Sequence, residues 1–188
     1  MRPHPRLQIS PAAALLLALI FFLDDSGLVS AVVPAVLVHE LGHFVMLRAF
    51  RRRLTRLRLG LAGLEMDYAP QLEGAPGLLC AAAGPAFGGA YALLACTLGG
   101  DFWQVSGAAS FLLTVFNLLP ALPLDGGRVL FALLPEPSAR RVSFAAAAAL
   151  LVGGGVILAR FHAAALLMAA LWLVIWNCSC IFQSADIE

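Results

Sequence analysis

Residues 39–43 read His-Glu-Leu-Gly-His. On a helix, two histidines four positions apart share one face, the geometry with which two imidazoles grip one divalent cation such as zinc. Glu40 is offset by one position. Its carboxylate is therefore placed to take a proton from water that the ion activates, rather than to bind the ion itself. The pentapeptide lies in a stretch otherwise fit only for lipid, where ionisable groups are costly and by default functional. The pattern points to zinc-dependent peptide hydrolysis within a bilayer.

A third ligand is needed, and the acidic residues select it. Of eleven Asp and Glu, only Glu40 and Asp125 fall within predicted spans. Asp125 lies ten residues from the end of its span near Leu134, about 15 Å of helix. His39 lies eleven residues from the same side of the membrane near Ala49, so the two sites are expected at nearly equal depth. His39, His43 and Asp125 would hold one Zn²⁺ per chain and leave the fourth tetrahedral position open, as in catalytic zinc sites. The segment around Asp125 runs Phe116-Asn117-Leu118-Leu119-Pro120-Ala121-Leu122-Pro123-Leu124-Asp125-Gly126-Gly127-Arg128. Its prolines and glycines should interrupt the helix, which at this depth is tolerated only around a polar or protein-lined cavity. Asn117 offers amide groups for a substrate backbone or a developing oxyanion. Arg128 either counters Asp125 or extends toward the cytoplasm.

The rest of the chain must position these groups. Hydrophobic residues make up 61% of 188 and charged residues 12%, the balance of a polytopic membrane protein. A net charge of +1 gives no reason to expect nucleic acid as a partner. The cysteines at 80, 96, 178 and 180 lack zinc-ribbon spacing and read as small apolar fillers. Crossing a bilayer takes about 20 helical residues. Six candidate spans appear, at about 8–23, 28–50, 77–98, 104–134, 142–159 and 163–182, separated by turn-forming clusters. The expected fold class is therefore an all-α polytopic membrane protein of six transmembrane helices, with a short β-hairpin after the second. All twelve basic residues are arginines, and all but Arg160 fall on one side of the alternating spans or within Asp125's own segment. The positive-inside rule then puts both termini in the cytoplasm. The competing reading of the first span is a cleaved signal peptide, since Val29-Ser30-Ala31 resembles a cleavage site.

Between the second and third spans, Leu57, Leu59 and Leu61 alternate with Arg56, Arg58 and Gly60, and Leu64, Met66 and Tyr68 alternate with Glu65 and Asp67. A hairpin turning at Ala62-Gly63 would pair Leu61 with Leu64, Leu59 with Met66 and Leu57 with Tyr68, with Arg58 opposite Asp67. Such a hairpin either offers an edge to an extended substrate or covers the mouth of the helix bundle. Gly84-Pro85 in the third span and Gly153-Gly154-Gly155 in the fifth read as close-packing sites. His4 and His162 read as solvated, and Asn177 as an interhelical hydrogen bond.

The combination of HELGH on the second span, Gly84-Pro85 on the third and Asn-x-x-Pro-x-x-Pro-x-Asp-Gly on the fourth resembles the site-2 protease family of intramembrane zinc metalloproteases, peptidase family M50. The likeness runs from about residue 29 to 134. It implies His39, His43 and Asp125 as zinc ligands, Glu40 as general base and Asn117 as a substrate-handling residue. The wording FNLLPALPLDGGR looks most like the bacterial sporulation-type subgroup, which processes a membrane-tethered transcription-factor precursor. The expectation is one transmembrane peptidase domain over 1–188, without PDZ or CBS domains, in a bacterial cytoplasmic membrane. It would cleave a membrane-embedded protein substrate, such as a transcription-factor precursor or anti-sigma factor, under a regulatory membrane protein. The competing classes are a membrane metal transporter, which usually shows repeated halves, and a catalytically silent scaffold, which would be expected to have lost Glu40 or a ligand.

Overall fold

The computed structural model describes residues 6–60 and 63–185. The chain forms two compact units, Met1–Thr114 and Val115–Glu188. The first holds β1 (Arg6–Ile9), α1 (Pro11–Phe22), α2 (Leu28–Ala49), β2 (Arg53–Gly60), β3 (Gly63–Ala69), α3 (Gly74–Leu98) and nearly all of α4 (Asp101–Asn117). The second holds α5 (Asp125–Leu133), α6 (Glu136–Phe161) and α7 (Ala165–Ala185).

Among the described residues, three helices are long and apolar enough to cross a membrane: α2, α3 and α6. The first expected span is shorter than the sequence suggests. Residues 6–9 form a strand and α1 has 12 residues, about 18 Å against a hydrocarbon core of about 30 Å. The fourth expected span is divided into α4 and α5 by the irregular stretch 118–124, as its prolines and glycines foretold.

Size rather than polarity separates inside from outside. The buried apolar residues are mostly alanines, such as Ala35, Ala95 and Ala139. Leu15, Phe21, Leu93 and Phe161 are each more than 70% exposed. In lipid, large apolar side chains lose nothing by facing outward, while small ones let helix backbones approach.

Both ends of α2 are set by local chemistry. Asp24 accepts hydrogen bonds from the Ser26 hydroxyl (2.7 Å) and from the N–H groups of Leu28 (3.1 Å) and Val29 (2.7 Å), satisfying donors that a helix start leaves open. At the other end Arg51 adopts a left-handed conformation (φ 55°). The N–H of Arg52 then reaches Leu47 O (2.8 Å) and that of Arg51 reaches Arg48 O (3.0 Å), the paired bonds of a Schellman stop. The chain turns directly into β2.

Among the described residues the sheet has three strands in the order β1-β2-β3, with β1 parallel and β3 antiparallel to β2. The hairpin register differs from the sequence expectation by two residues. Leu59 pairs with Leu64, Leu57 with Met66 and Gly60 with Gly63. Residue 62 of the expected turn, with residue 61, lies outside the described residues. Arg56, not Arg58, stands opposite Asp67 (3.7 Å), and Arg58 pairs with Glu65 (3.8 Å). A slip of two leaves every side chain on its original face, so hydrophobic alternation alone does not separate the two registers. The parallel strand β1 was not expected. Its Leu7 and Ile9 continue the apolar face of Leu57 and Leu59.

In the second unit, α6 and α7 meet where a Cβ on Gly154 would come within 2.8 Å of the Leu167 backbone. Gly153 and Gly155 face open space. On the same two helices, Ala147 and Leu173 pack with Ala121 and Leu124 into one buried cluster. His162 is exposed and caps α6 in a left-handed conformation (φ 54°).

Two outcomes follow from these caps and contacts. Gly154→Ala should destabilise by about 1–3 kcal/mol through overpacking, while Gly153→Ala and Gly155→Ala should be neutral or slightly stabilising, as measured by thermal unfolding in detergent. The Ser26 hydroxyl, with the Val29 and Leu28 N–H groups, holds the Asp24 carboxyl below its ordinary value of about 3.9. This contribution is complete above that ordinary value and is lost as pH falls through the lowered one. Asp24→Asn should therefore flatten the acid limb of the Tm–pH profile.

Candidate metal centre

Side chains and main-chain groups of the first unit build the histidine pair. His39 and His43 lie one turn apart on α2, His39 fully buried and His43 half-buried. Their Nε2 atoms are 3.4 Å apart and their rings meet edge to face with centroids 5.1 Å apart. The Nδ1 of His43 lies 2.8 Å from the Cys80 carbonyl oxygen. A carbonyl only accepts, so Nδ1 carries the proton, and in the neutral ring Nε2 keeps its lone pair for a cation. Metal-binding histidines are typically fixed by such a bond from the other ring nitrogen.

Close helix approach makes this bond reachable. A Cβ on Gly42 would overlap the Ala83 carbonyl on α3, and one on Gly84 would overlap His43 Nε2 and come within 2.8 Å of His39 Nε2. Gly84 thus leaves open the space toward which both nitrogens converge. Two nitrogens held by one tetrahedral zinc at about 2.0–2.1 Å stand roughly 3.3 Å apart, and the observed separation fits. The Gly84-Pro85 pair read as close packing from the sequence is close packing against the imidazoles themselves.

A polar seam supports α3 from α4. Tyr91 and Ser106 share a hydrogen bond (2.8 Å), and Ser110 donates to the Gly88 carbonyl (2.8 Å). The Thr114 hydroxyl lies where a Gly88 Cβ would approach it to 2.6 Å. Sequence reading missed this seam, although Ser106, Ser110 and Thr114 recur at four-residue spacing, the period of one helix face. It also missed Cys80, which acts through its main-chain carbonyl and is a free, buried thiol.

Glu40 is half-buried on α2. In the second unit, Asp125 is the first residue of α5 and is 5% exposed. It follows a turn whose compactness depends on two glycines: a Cβ on Gly126 would overlap Leu118, and one on Gly127 would come within 2.6 Å of Ala121. Arg128 Nη1 lies 3.8 Å from Asp125 Oδ1 with its side chain 61% exposed, so it lies beside the carboxylate while extending outward. Asn117 ends α4 and is half-buried. Of the residue types that can hold a metal, His39 and His43 of the first unit offer two imidazole nitrogens and Asp125 of the second offers a carboxylate oxygen.

If the Gly84 gap accommodates the ion, Gly84→Ala should lower bound zinc, measured by elemental analysis of purified protein, at least tenfold. Gly89→Ala, whose Cβ meets only Thr114 Cγ2 at 3.9 Å, should leave it unchanged.

Comparison with known proteins gives a family match and a likeness of fold. The family model described as peptidase family M50 matches residues 100–161, the stretch that includes Asn117 and Asp125. A search of curated proteins finds no match. Among solved structures, the site-2 protease from Methanocaldococcus jannaschii superposes with a TM-score of 0.66 at 18% identity, over 92% of this chain and 89% of that one. At that identity the likeness establishes the fold. In sequence the chain is similar to peptidase family M50 over residues 100–161, and in fold it is similar to a site-2 protease.

Proposed function

We propose that this chain is an intramembrane zinc metalloprotease that cleaves a peptide bond in or near a transmembrane segment of a membrane-tethered protein. The observation that carries this reading is the histidine pair. Two Nε2 atoms 3.4 Å apart, one ring locked by the Cys80 carbonyl, face a space kept open by Gly84. Asp125 is assigned as the third ligand, supported by its burial and by its place in the segment that matches the peptidase family.

Zinc, when bound, supplies the Lewis acidity that makes water nucleophilic near neutral pH and polarises the scissile carbonyl. Glu40, next to the first ligand, accepts the proton released by the attacking water and delivers it to the leaving amine. The Asn117 amide donates to the carbonyl oxygen as negative charge develops there. A helical substrate hides its carbonyls in its own hydrogen bonds and must unwind before attack. The outer edge of β3 bears no further strand among the described residues, which supports a role in holding such a segment in extended form.

The one-domain organisation over 1–188, cytoplasmic termini, bacterial inner-membrane location and regulatory membrane partner belong to the same proposal. They are supported by the arginine distribution and by the wording of the Asp125 segment. Substrates of the transcription-factor or anti-sigma type fit a protease that releases a tethered protein by one cut.

Glu40→Gln should reduce cleavage of a co-reconstituted single-span substrate by about 10²–10⁴-fold while bound zinc stays stoichiometric. Undiminished turnover would remove Glu40 as the base. Asn117→Ala should lower kcat by about 10²-fold with little change in zinc content.

A further inference from the structure

The irregular stretch 118–124 is gripped by side chains from two helices distant in sequence. The Leu122 N–H donates to Ser143 Oγ on α6 (2.9 Å), and the Leu122 carbonyl accepts from Asn177 Nδ2 on α7 (2.8 Å). Ser143 in turn donates to Asn177 Oδ1 (2.7 Å), and Asn177 also donates to the Leu173 carbonyl one turn back (2.8 Å). Ser143 is wholly buried and Asn177 is 7% exposed. The Ser143 proton, both Asn177 amide protons and the Asn177 oxygen are all used. Such closed networks in apolar surroundings hold a single geometry, because any displacement leaves a desolvated polar group unpaired.

The network addresses the residue at which the chain is least able to fix itself. Pro123 has no N–H, and between α4 and α5 the local main-chain bonds are short-range turns, such as Ala121 N–H to Leu119 O (2.8 Å) and Leu124 N–H to Ala121 O (2.9 Å). Asp125 begins α5 three residues after Leu122. Ala121 and Leu124, on either side, are buried against Ala147 and Leu173 of the same two helices.

We propose that Ser143 and Asn177 are positioning residues for the Asp125 carboxylate: by clamping both polar groups of Leu122 they set the direction in which α5 starts. This inference rests on Asp125 being a zinc ligand, as assigned above. Loss of the clamp frees the turn, and the carboxylate then spends less of its time where a cation requires it.

The test is zinc affinity of the purified full-length chain in detergent, by competition with a chelator of known affinity, beside thermal unfolding of the apo form. Ser143→Ala and Asn177→Leu should each weaken zinc binding tenfold or more, the range for groups that orient ligands. Ser143→Thr, which keeps the hydroxyl, should restore most of it. Leu150→Ala, which trims the apolar cluster beside the clamp, should lower Tm and leave zinc affinity at the wild-type value. If Asn177→Leu does not fold, Ser143→Ala with its threonine rescue decides. Wild-type zinc affinity in the folded clamp variants overturns the positioning role, as does an equal loss in Leu150→Ala. Absence of zinc binding by the wild-type chain overturns the metalloprotease reading itself and this inference with it.

Discussion

The backbone of α2 at Gly42 meets the backbone of α3 at Ala83 and Gly84 with no room for a side chain between them, and the histidine pair depends on that approach. It brings the Cys80 carbonyl within reach of His43 Nδ1. Without that acceptor the imidazole would have no fixed tautomer and no fixed plane. In water a loose histidine is inexpensive, because solvent satisfies whichever nitrogen is left over. In hydrocarbon it is not, and each ring nitrogen needs a defined partner. Close packing and a fixed imidazole are therefore one requirement here, met by the same two glycines.

The second unit solves a related problem in another way. A helix interrupted by Pro120 and Pro123 releases main-chain groups that lipid does not satisfy. Ser143 and Asn177 take up those of Leu122 from outside the segment, and Ala121 and Leu124 fill the apolar space beside them. Buried polar side chains in apolar helices are often regarded as glue between helices. Here they bind a peptide group rather than each other alone, so the cost of breaking the helix next to Asp125 is offset locally.

Apolar helices that enclose polar side chains need a polar interior and an apolar exterior in one small chain. The distribution of side-chain size meets both demands. Alanine, glycine and serine occupy most of the helix contacts, and many leucines and phenylalanines point outward, while Leu47, Leu124 and Leu173 are buried. A stripe of Ser106, Ser110 and Thr114 lets α4 lie against α3 near the histidines without a bulky apolar layer between them.

The sequence alone determined which chemistry was available. HELGH placed two imidazoles on one helix face by periodicity, and the scarcity of acidic groups in apolar segments singled out Glu40 and Asp125. The interruption before Asp125, the hairpin and its two faces were legible because proline, glycine and period-two alternation act locally. Three features were settled only by tertiary structure. The hairpin register is one, since a slip of two preserves every face and only the pairing of Gly60 with Gly63 decides it. The parallel strand β1 is another, because four residues ahead of a helix carry too short a pattern to announce a partner about 50 positions away. The third is the set of groups that hold His43 and the turn before Asp125. The Cys80 carbonyl has no side-chain signature, and Ser143 and Asn177 lie 21 and 55 residues from the peptide they grip. Which main-chain atom a polar side chain meets across such a separation is decided by how helices pack, and no local pattern encodes it.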